Sequence, residues 1–578
     1  MRLSASVLTA MASSFAVCRL HMRGRVVLVR SLQKADTFLQ RSIGTDVAAA
    51  QAEAPPRDGS DEKDGCKSLH ALQVERQEQA ERSVLINCQS RTNEKKFLKY
   101  LSNHGDIKKY FFYESYGLYA VVEFAKRENV ASLLEGAVIP SVSHESTVPF
   151  KSRLLSLRNL SLVDLSNQQS GLQCQPQTTI PINEFIQRLS KEESIDQQIT
   201  SLTEAYQLTE ENSRLRFLVC SLLKDIAAAY FPECTIKPFG SSVNGFGKLG
   251  CDLDMFLDLD GISGRNPKSG LSLEYQMKRA NSERAVTQSI LSVIGECVDQ
   301  FGPGCVGVQK ILNARCPLVR FAHQPSGFQC DLTANNRVAM KSTELLYLYG
   351  QLDPRVRSLV FTVRCWARAH GVTSSIPGAW ISNFSLTVMV LFFLQKRSIP
   401  IIPTLEHLRD LAGPADKSVI EGNDCTFVSD FSKIQLKSNT ETLEQLLCEF
   451  FEFYATFPFS RMSLNIRKGK EQNKPEVAPL HIQNPFETSL NVSKNVNATQ
   501  LDRFVALCQE SSWLLQQRET NTPRGGANMT TAWGLATLLL PSQVAGIKSR
   551  KKRRREPASE RIKGLLESLK NKNQPKTS

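Results

Sequence analysis

Asp252 and Asp254 stand one residue apart in the stretch FGSSVNGFGKLGCDLDMFLDLD at 239–260, shortly after a Gly-Ser-Ser turn. In a β-strand successive side chains point to opposite faces, so Asp252, Asp254, Phe256 and Asp258 share one side while Leu253, Met255 and Leu257 face a core. Two carboxylates at that spacing aim hard oxygen donors at one point, as a Mg2+ site requires, and repel each other unless a cation lies between them. Gly240, Ser241 and Ser242, in a turn that opens a short helix, offer backbone N–H groups and hydroxyls to a polyphosphate. A third acid is expected from a neighbouring strand. The run SGFQCDLTANN supplies Asp331, with Phe328, Cys330 and Leu332 alternating inward. Three acids on adjacent strands can hold two metal ions about 3.5–4 Å apart, one activating an attacking hydroxyl and the other neutralising a triphosphate and its leaving pyrophosphate. Asp331 also suits general-base work on that hydroxyl.

Two other readings compete for this stretch. Most isolated D-x-D matches are solvated acidic strand ends; the Gly-Ser turn at this spacing favours the site. Residues 245–250 also spell G-x-G-x-x-G. A dinucleotide-binding turn needs a helix after its last glycine, and here CDLDMFLDL comes next with strand alternation, so the match is accidental.

The elements around these residues describe an α+β multidomain chain. Residues 83–155 read β-α-β-β-α and resemble an RNA-recognition-motif (RRM) fold. Its RNA-binding residues are mostly missing: Tyr119 and Phe124 fall at expected aromatic positions, but Val121 and Leu85 replace the others. With at most one or two ring faces for bases, the module reads as a protein–protein or dimerisation platform ahead of an RNA binder. Residues 156–183 are irregular and polar, and two helices come after them at 195–208 and 212–230. The Asp-bearing strands and a helix at 282–301 fill out 184–341, with a polar insert at 261–270, and 342–540 is largely helical.

The 578 residues carry a net charge of +14, which calls for a polyanionic partner, nucleic acid or membrane surface. No run of about 18 apolar residues appears, so no transmembrane segment is expected. Fifteen cysteines include no C-x-x-C pair and no zinc spacing, as expected of scattered thiols in a reducing compartment. Residues 1–35 lack Asp and Glu but hold Arg2, Arg19, Arg23, Arg25, Arg30 and Lys34, the composition of a mitochondrial transit peptide, assigned to 1–40. A secretory signal is the rival, but the arginines cluster after the apolar stretch rather than before it. Residues 41–82, poor in aromatics and rich in Ala, Glu, Gln and Asp, read as a disordered linker. The tail, 541–578, has seven Lys/Arg among 548–555. It reads as an electrostatic arm for RNA or a solvated end, since a nuclear signal would contradict the leader.

FGSSV…GCDLDMFLDL and FQCDLTANNR resemble the DNA-polymerase-β-like nucleotidyltransferases, and within them the template-independent poly(A) and terminal uridylyl transferases. RCWARAHGV, ISNFSLTVMVLFFLQ and IQNPFETSLNVSKNV resemble that family's central domain and nucleotide-recognition segment. With the leader and the divergent RRM-like module, the resemblance narrows to the family's mitochondrial, poly(A)-adding branch. It implies a palm with a mixed sheet, a mostly helical central domain, and AMP transfer from ATP to the 3′ ends of mitochondrial transcripts in the matrix. Two Mg2+ or Mn2+ ions and a homodimer through the RRM-like module are implied as well. By motif, Gly240, Ser241 and Ser242 would contact the triphosphate, Asp252, Asp254 and Asp331 would bind metal, and Asn336 would read the ribose. Arg364 and Arg368, one helical turn apart beside Trp366, stand where the family has phosphate-reaching lysines. Asn383 replaces a phosphate-binding serine and Phe384 a base-stacking tyrosine. Leu490 stands where uridylyl transferases carry a histidine, which tilts the base toward adenine. UTP as the nucleotide and a catalytically inactive RNA-binding scaffold are the alternatives.

Overall fold

The computed structural model describes residues 67–88, 93–136, 151–156, 180–259, 282–374, 376, 378–517 and 532–542. The leader, the insert at 261–270 and the basic run at 548–555 lie outside them. No described helix is long and apolar enough to cross a membrane.

The end of the expected linker is a helix, α1 (Leu69–Glu81), capped by the Ser68 side chain, which accepts from the Ala71 N–H. Ala, Glu and Gln are strong helix formers, so the composition that reads as linker also permits helix. What decides is docking: Leu69 and Ala80 pack with Phe217, Val243 and Tyr347, and Arg76 forks onto Glu210.

The next module is built of β1 (Ser83–Cys88), α2 (Glu94–Ser102), β2 (Ile107–Glu114), β3 (Leu118–Phe124), α3 (Arg127–Glu135) and β4 (Leu154–Ser156). Its strand order is β2-β3-β1-β4, with β4 parallel to β1 and the other pairs antiparallel. One face of the sheet (Val84, Ile86, Phe112, Val122, Phe124) packs under Phe97, Leu101, Val130 and Leu133 of the two helices. The opposite face, where bases would stack, is covered by the chain itself. Leu85, Phe111, Tyr113, Tyr119 and Val121 share one core with Leu215, Leu218 and Phe328. The Tyr113 hydroxyl donates to the Pro325 carbonyl at 2.8 Å and Ser115 Oγ to that of Gln324 at 2.9 Å. This corrects the expectation of one or two rings left for bases: Tyr119 is 6% exposed, and Phe124 lies on the helix side. An aliphatic and aromatic patch of that size is costly to leave wet, and Leu85 and Val121 suit it to burial. Glu123, 3% exposed, fastens the joint by accepting from Arg82 and Arg214.

The palm begins with α4 (Ile182–Leu189), a short helix not anticipated, then α5 (Ile195–Tyr206) and α6 (Glu210–Ala228). Its sheet comprises β5 (Thr235–Pro238), β6 (Leu253–Asp258), β7 (Cys305–Ile311), β8 (Leu318–His323) and β9 (Phe328–Ala334), with α7 (Glu283–Phe301) between β6 and β7. The order is β5-β6-β9-β8-β7, in which β6 and β9 are parallel and the other pairs antiparallel. Leu253, Met255, Leu257, Cys330 and Leu332 bury one face of the sheet against α6 and α7. The acids occupy the other.

The helical half contains α8 (Arg337–Leu352), α9 (Pro354–Ala369), α10 (Asn383–Gln395), α11 (Leu405–Asp410), α12 (Leu443–Thr456), α13 (Ala498–Gln516) and α14 (Leu535–Leu538). From Ser385 to its end α10 is buried all round, the pattern of a central helix. Trp366 is fully buried, its indole donating to Ser511 Oγ at 3.0 Å, so it is a core residue.

Candidate active site

Gly240–Ser242 forms a short helix, a single 3₁₀ turn, between β5 and β6. Gly240 has φ +61°, and a Cβ there would sit 3.0 Å from Asp254 Oδ2. Only glycine allows the turn to approach the acid this closely. The Gly240 N–H donates to Thr343 Oγ1 of α8 at 3.0 Å, tying the turn to the helical half. Ser241 faces a cleft that opens beside Asp254. Ser242 does not: it is 5% exposed and accepts from Arg216 Nη1 at 2.9 Å, which corrects its expected place on the triphosphate.

Arg216, on α6, was missed by sequence reasoning. It is fully buried and donates to Asn212 Oδ1 (2.7 Å), the Asp252 carbonyl (2.9 Å) and the Cys251 carbonyl (2.7 Å) as well as to Ser242. Its guanidinium also lies 4.5 Å from the centre of the Phe328 ring. One side chain thus fastens the Gly-Ser turn, the entry to β6 and the start of β9. The available signal was an arginine inside the apolar run RLRFLVC, since buried arginines are rare and always engaged.

Asp254 and Asp331 are register partners across the parallel β6/β9 pair, so both project from the same face, and Asp252 precedes β6 by one residue on that side. Asp254 is pushed up to about 7 by burial first, then by the negative charges of Asp331 and Asp252, against the pull of Arg216 and Arg320. Burial and Asp331 likewise raise Asp252. Asp331 is also the register partner of Arg320 on β8, whose Nε and Nη2 reach its Oδ1 and Oδ2 at 2.7 and 2.6 Å. Three hard donors in mutual repulsion fit a divalent cation. Among the described residues, however, no three His, Cys, Asp or Glu side chains yet converge as a metal cage. Asp331 is turned to Arg320 instead.

The cleft beside Asp254 has a volume of about 510 Å³ and separates the palm from the helical half. Of the expected nucleotide contacts, Gly240, Ser241, Asn336, Arg364, Asn383, Phe384 and Leu490 line it together with Asp254. Arg364 is held by donating to the Phe246 carbonyl at 2.6 Å. Phe384 and Asn383 sit on the first turn of α10, whose start is fixed by Ser382 Oγ accepting from the Ser385 N–H. Leu490 is set by a tight loop in which its N–H donates to the Glu487 carbonyl and its own carbonyl accepts from the Asn484 N–H. Arg368, one turn beyond Arg364, is exposed and lies outside the cleft, a second correction. The two share a helix face, but the cleft wall ends within that turn. Arg315 and Glu487 were not anticipated; they form a 2.7 Å ion pair at the cleft, joining palm and helical half.

A family model for "Poly(A) RNA polymerase, mitochondrial-like, central palm domain" matches residues 195–351, and an "RL domain" model matches 68–138, a span that takes in α1. The mouse mitochondrial poly(A) RNA polymerase is 56% identical over 543 residues, 93% of this chain and 91% of the relative. The crystal structure of mtPAP in complex with ATPgammaS is 55% identical, with a TM-score of 0.76, and covers 82% of this chain and 100% of that one. That of mtPAP in complex with UTP is equally similar, 55% identical with a TM-score of 0.75 and the same coverage. With identity this high over nearly its whole length, the chain belongs to the mitochondrial poly(A) RNA polymerase family.

Proposed function

We propose that this enzyme adds AMP from ATP to RNA 3′ ends without a template and releases pyrophosphate. The observation that carries the reading is Asp254 paired in register with Asp331 at the edge of a nucleotide-sized cleft. In it, Ser241 and the backbone of the turn hold the triphosphate, and Arg364 supplies a fixed positive charge along the wall. Asn336 reads the ribose, Phe384 stacks on the base and Leu490 packs against it. Asp331 accepts the proton of the attacking 3′-hydroxyl. Asp252, Asp254 and Asp331 would hold Mg2+ or Mn2+ ions, which supply Lewis-acid activation of that hydroxyl and neutralise the triphosphate. An inactive RNA-binding scaffold would have no use for these three acids around one turn.

The test is primer extension with each nucleotide fed separately to the full chain. Oligo(A) synthesis is expected. Preferential oligo(U) synthesis would replace ATP by UTP; the mtPAP structures in complex with ATPgammaS, UTP, GTP and CTP favour none of the four bases. Apolar walls discriminate weakly, so the Leu490→His variant, which gains a donor for a uracil carbonyl, is expected to raise UTP use relative to ATP by on the order of tenfold. An unchanged ratio removes Leu490 from base selection.

The same reading places the enzyme in the mitochondrial matrix, acting on its transcripts, as a homodimer through the RRM-like module. With one sheet face spent on the palm and the other on its helices, the outer edges of β2 and β4 are what the described residues leave to meet a second copy, and β2 is the longer of the two. Sedimentation of the full chain is expected to give a dimer; a monomer at micromolar concentration rules this out.

A further inference from the structure

One row of side chains crosses the palm sheet: Gln309, Arg320, Asp331 and Asp254, each the register partner of the next. Two arginines bracket the acids within it. Arg216 lies beneath, buried and fastened by four hydrogen bonds, and has no room to change partners. Arg320 lies beside them with 48% of its side chain exposed. It grips both oxygens of Asp331. A two-point grip by a planar guanidinium fixes the orientation of a carboxylate, and among the described residues no three such side chains form a metal cage.

The charge balance changes when metal arrives. Without divalent ions, the two arginines offset part of the repulsion among three carboxylates. Once divalent cations are bound, the site has positive charge to spare, and the exposed arginine is the group free to leave. The triphosphate takes up the charge of the cations, and the other anion that must reach this site is RNA. The last phosphodiester of the strand lies one backbone unit from the 3′-hydroxyl, and neighbouring β-strands are about 4.7–4.9 Å apart. A cation one strand from the base that deprotonates this hydroxyl is therefore within reach of that phosphate.

We propose that Arg320 exchanges partners during the reaction: it holds Asp331 before divalent ions bind, and when Asp331 turns to them the freed guanidinium takes the terminal phosphodiester of the RNA. This rests on Asp331 being a metal ligand and the base for the 3′-hydroxyl. Arg320 is a positioning residue for Asp331 in the first state and an RNA contact in the second.

Two measurements on the full chain test the exchange. Mn2+ titrated alone and followed by electron paramagnetic resonance should bind the Arg320→Gln variant roughly tenfold more tightly than the parent, because one charged grip on Asp331 is gone. The affinity for a single-stranded RNA oligonucleotide, measured by fluorescence anisotropy in Mg2+ without nucleotide, should fall. Its dependence on log salt should flatten by about 0.7, the value of one single-strand phosphate contact. Arg320→Lys keeps the charge and loses the fork, so its Mn2+ affinity should rise while its salt dependence stays. Mn2+ affinity at the parent value in both variants, or an unflattened salt dependence in Arg320→Gln, overturns the exchange. An Asp331→Asn variant separates the two levels: if it still extends RNA, the site itself is wrong. If it is inactive while both Arg320 variants behave as the parent, only the exchange is wrong.

Discussion

Asparagine in place of Asp254 should slow RNA extension by on the order of 10³-fold and yet raise the melting temperature of the metal-free protein at pH 8. Both effects come from one carboxylate. Asp254 lies opposite Asp331, and on the proposed reading removing its charge removes a donor for the divalent ion. The stability effect arises from its titration. In the fold the group titrates near 7, against an ordinary value of 3.8. Between those values the folded chain keeps a proton that the unfolded chain gives up, so stability is fully present below pH 3.8 and is lost as pH rises through 7. Three pH units of displacement correspond to an upper bound of about 4 kcal/mol. Asparagine is neutral throughout, so its advantage should be absent at pH 4 and largest at pH 8. Added Mn2+ should reverse the order, because it stabilises the parent alone. Thermal melts in EDTA at both pH values, repeated with Mn2+, give the comparison; an asparagine variant that melts below the parent at pH 8 in EDTA would falsify the account.

The part of this site legible in the sequence is the part that depends on strand alternation. Period two places Asp252 and Asp254 on one face and Leu253, Met255 and Leu257 on the other whatever lies nearby, and the same holds for Asp331 among Phe328, Cys330 and Leu332. Contacts set by packing between distant elements were not legible. That Arg320 faces Asp331 depends on the β8/β9 register. Nor does a helix sequence show whether an arginine such as Arg216 points into a core or into water. The same limit explains Ser242, whose hydroxyl looks available until Arg216 is placed under it, and Arg368, whose helix face is right but whose turn lies past the cleft wall. The gathering of Asn336, Phe384 and Leu490 around one cleft was expected from the family resemblance alone; no spacing rule joins residues so far apart. The RRM-like sheet is an intermediate case. Its missing aromatics show in the strands, while the palm that covers the face does not.

Replacing Arg216 by methionine should cost more folding stability than any other single change at the site. Methionine fills much of the same volume but donates nothing. Ser242 Oγ, the carbonyls of Cys251 and Asp252, and Asn212 Oδ1 would each lose a donor in a place closed to water. At about 1–3 kcal/mol for each buried polar group left bare, the loss amounts to several kcal/mol and should appear as a large drop in melting temperature. A purely structural role would end there. Arg216 is also a cation that pulls Asp252 and Asp254 toward their ionised forms. Its loss should therefore shift the acid limb of the pH–rate profile to higher pH in whatever fraction folds. Arg216→Lys gives the cleaner reading: the charge remains, so the limb should stay near its parent position. The fork is lost, so the turn loosens and the KM for ATP should rise more than kcat falls. A methionine variant that melts with the parent, or a lysine variant whose limb moves with unchanged KM, would show that Arg216 neither fastens the turn nor supplies the resident positive charge of the site.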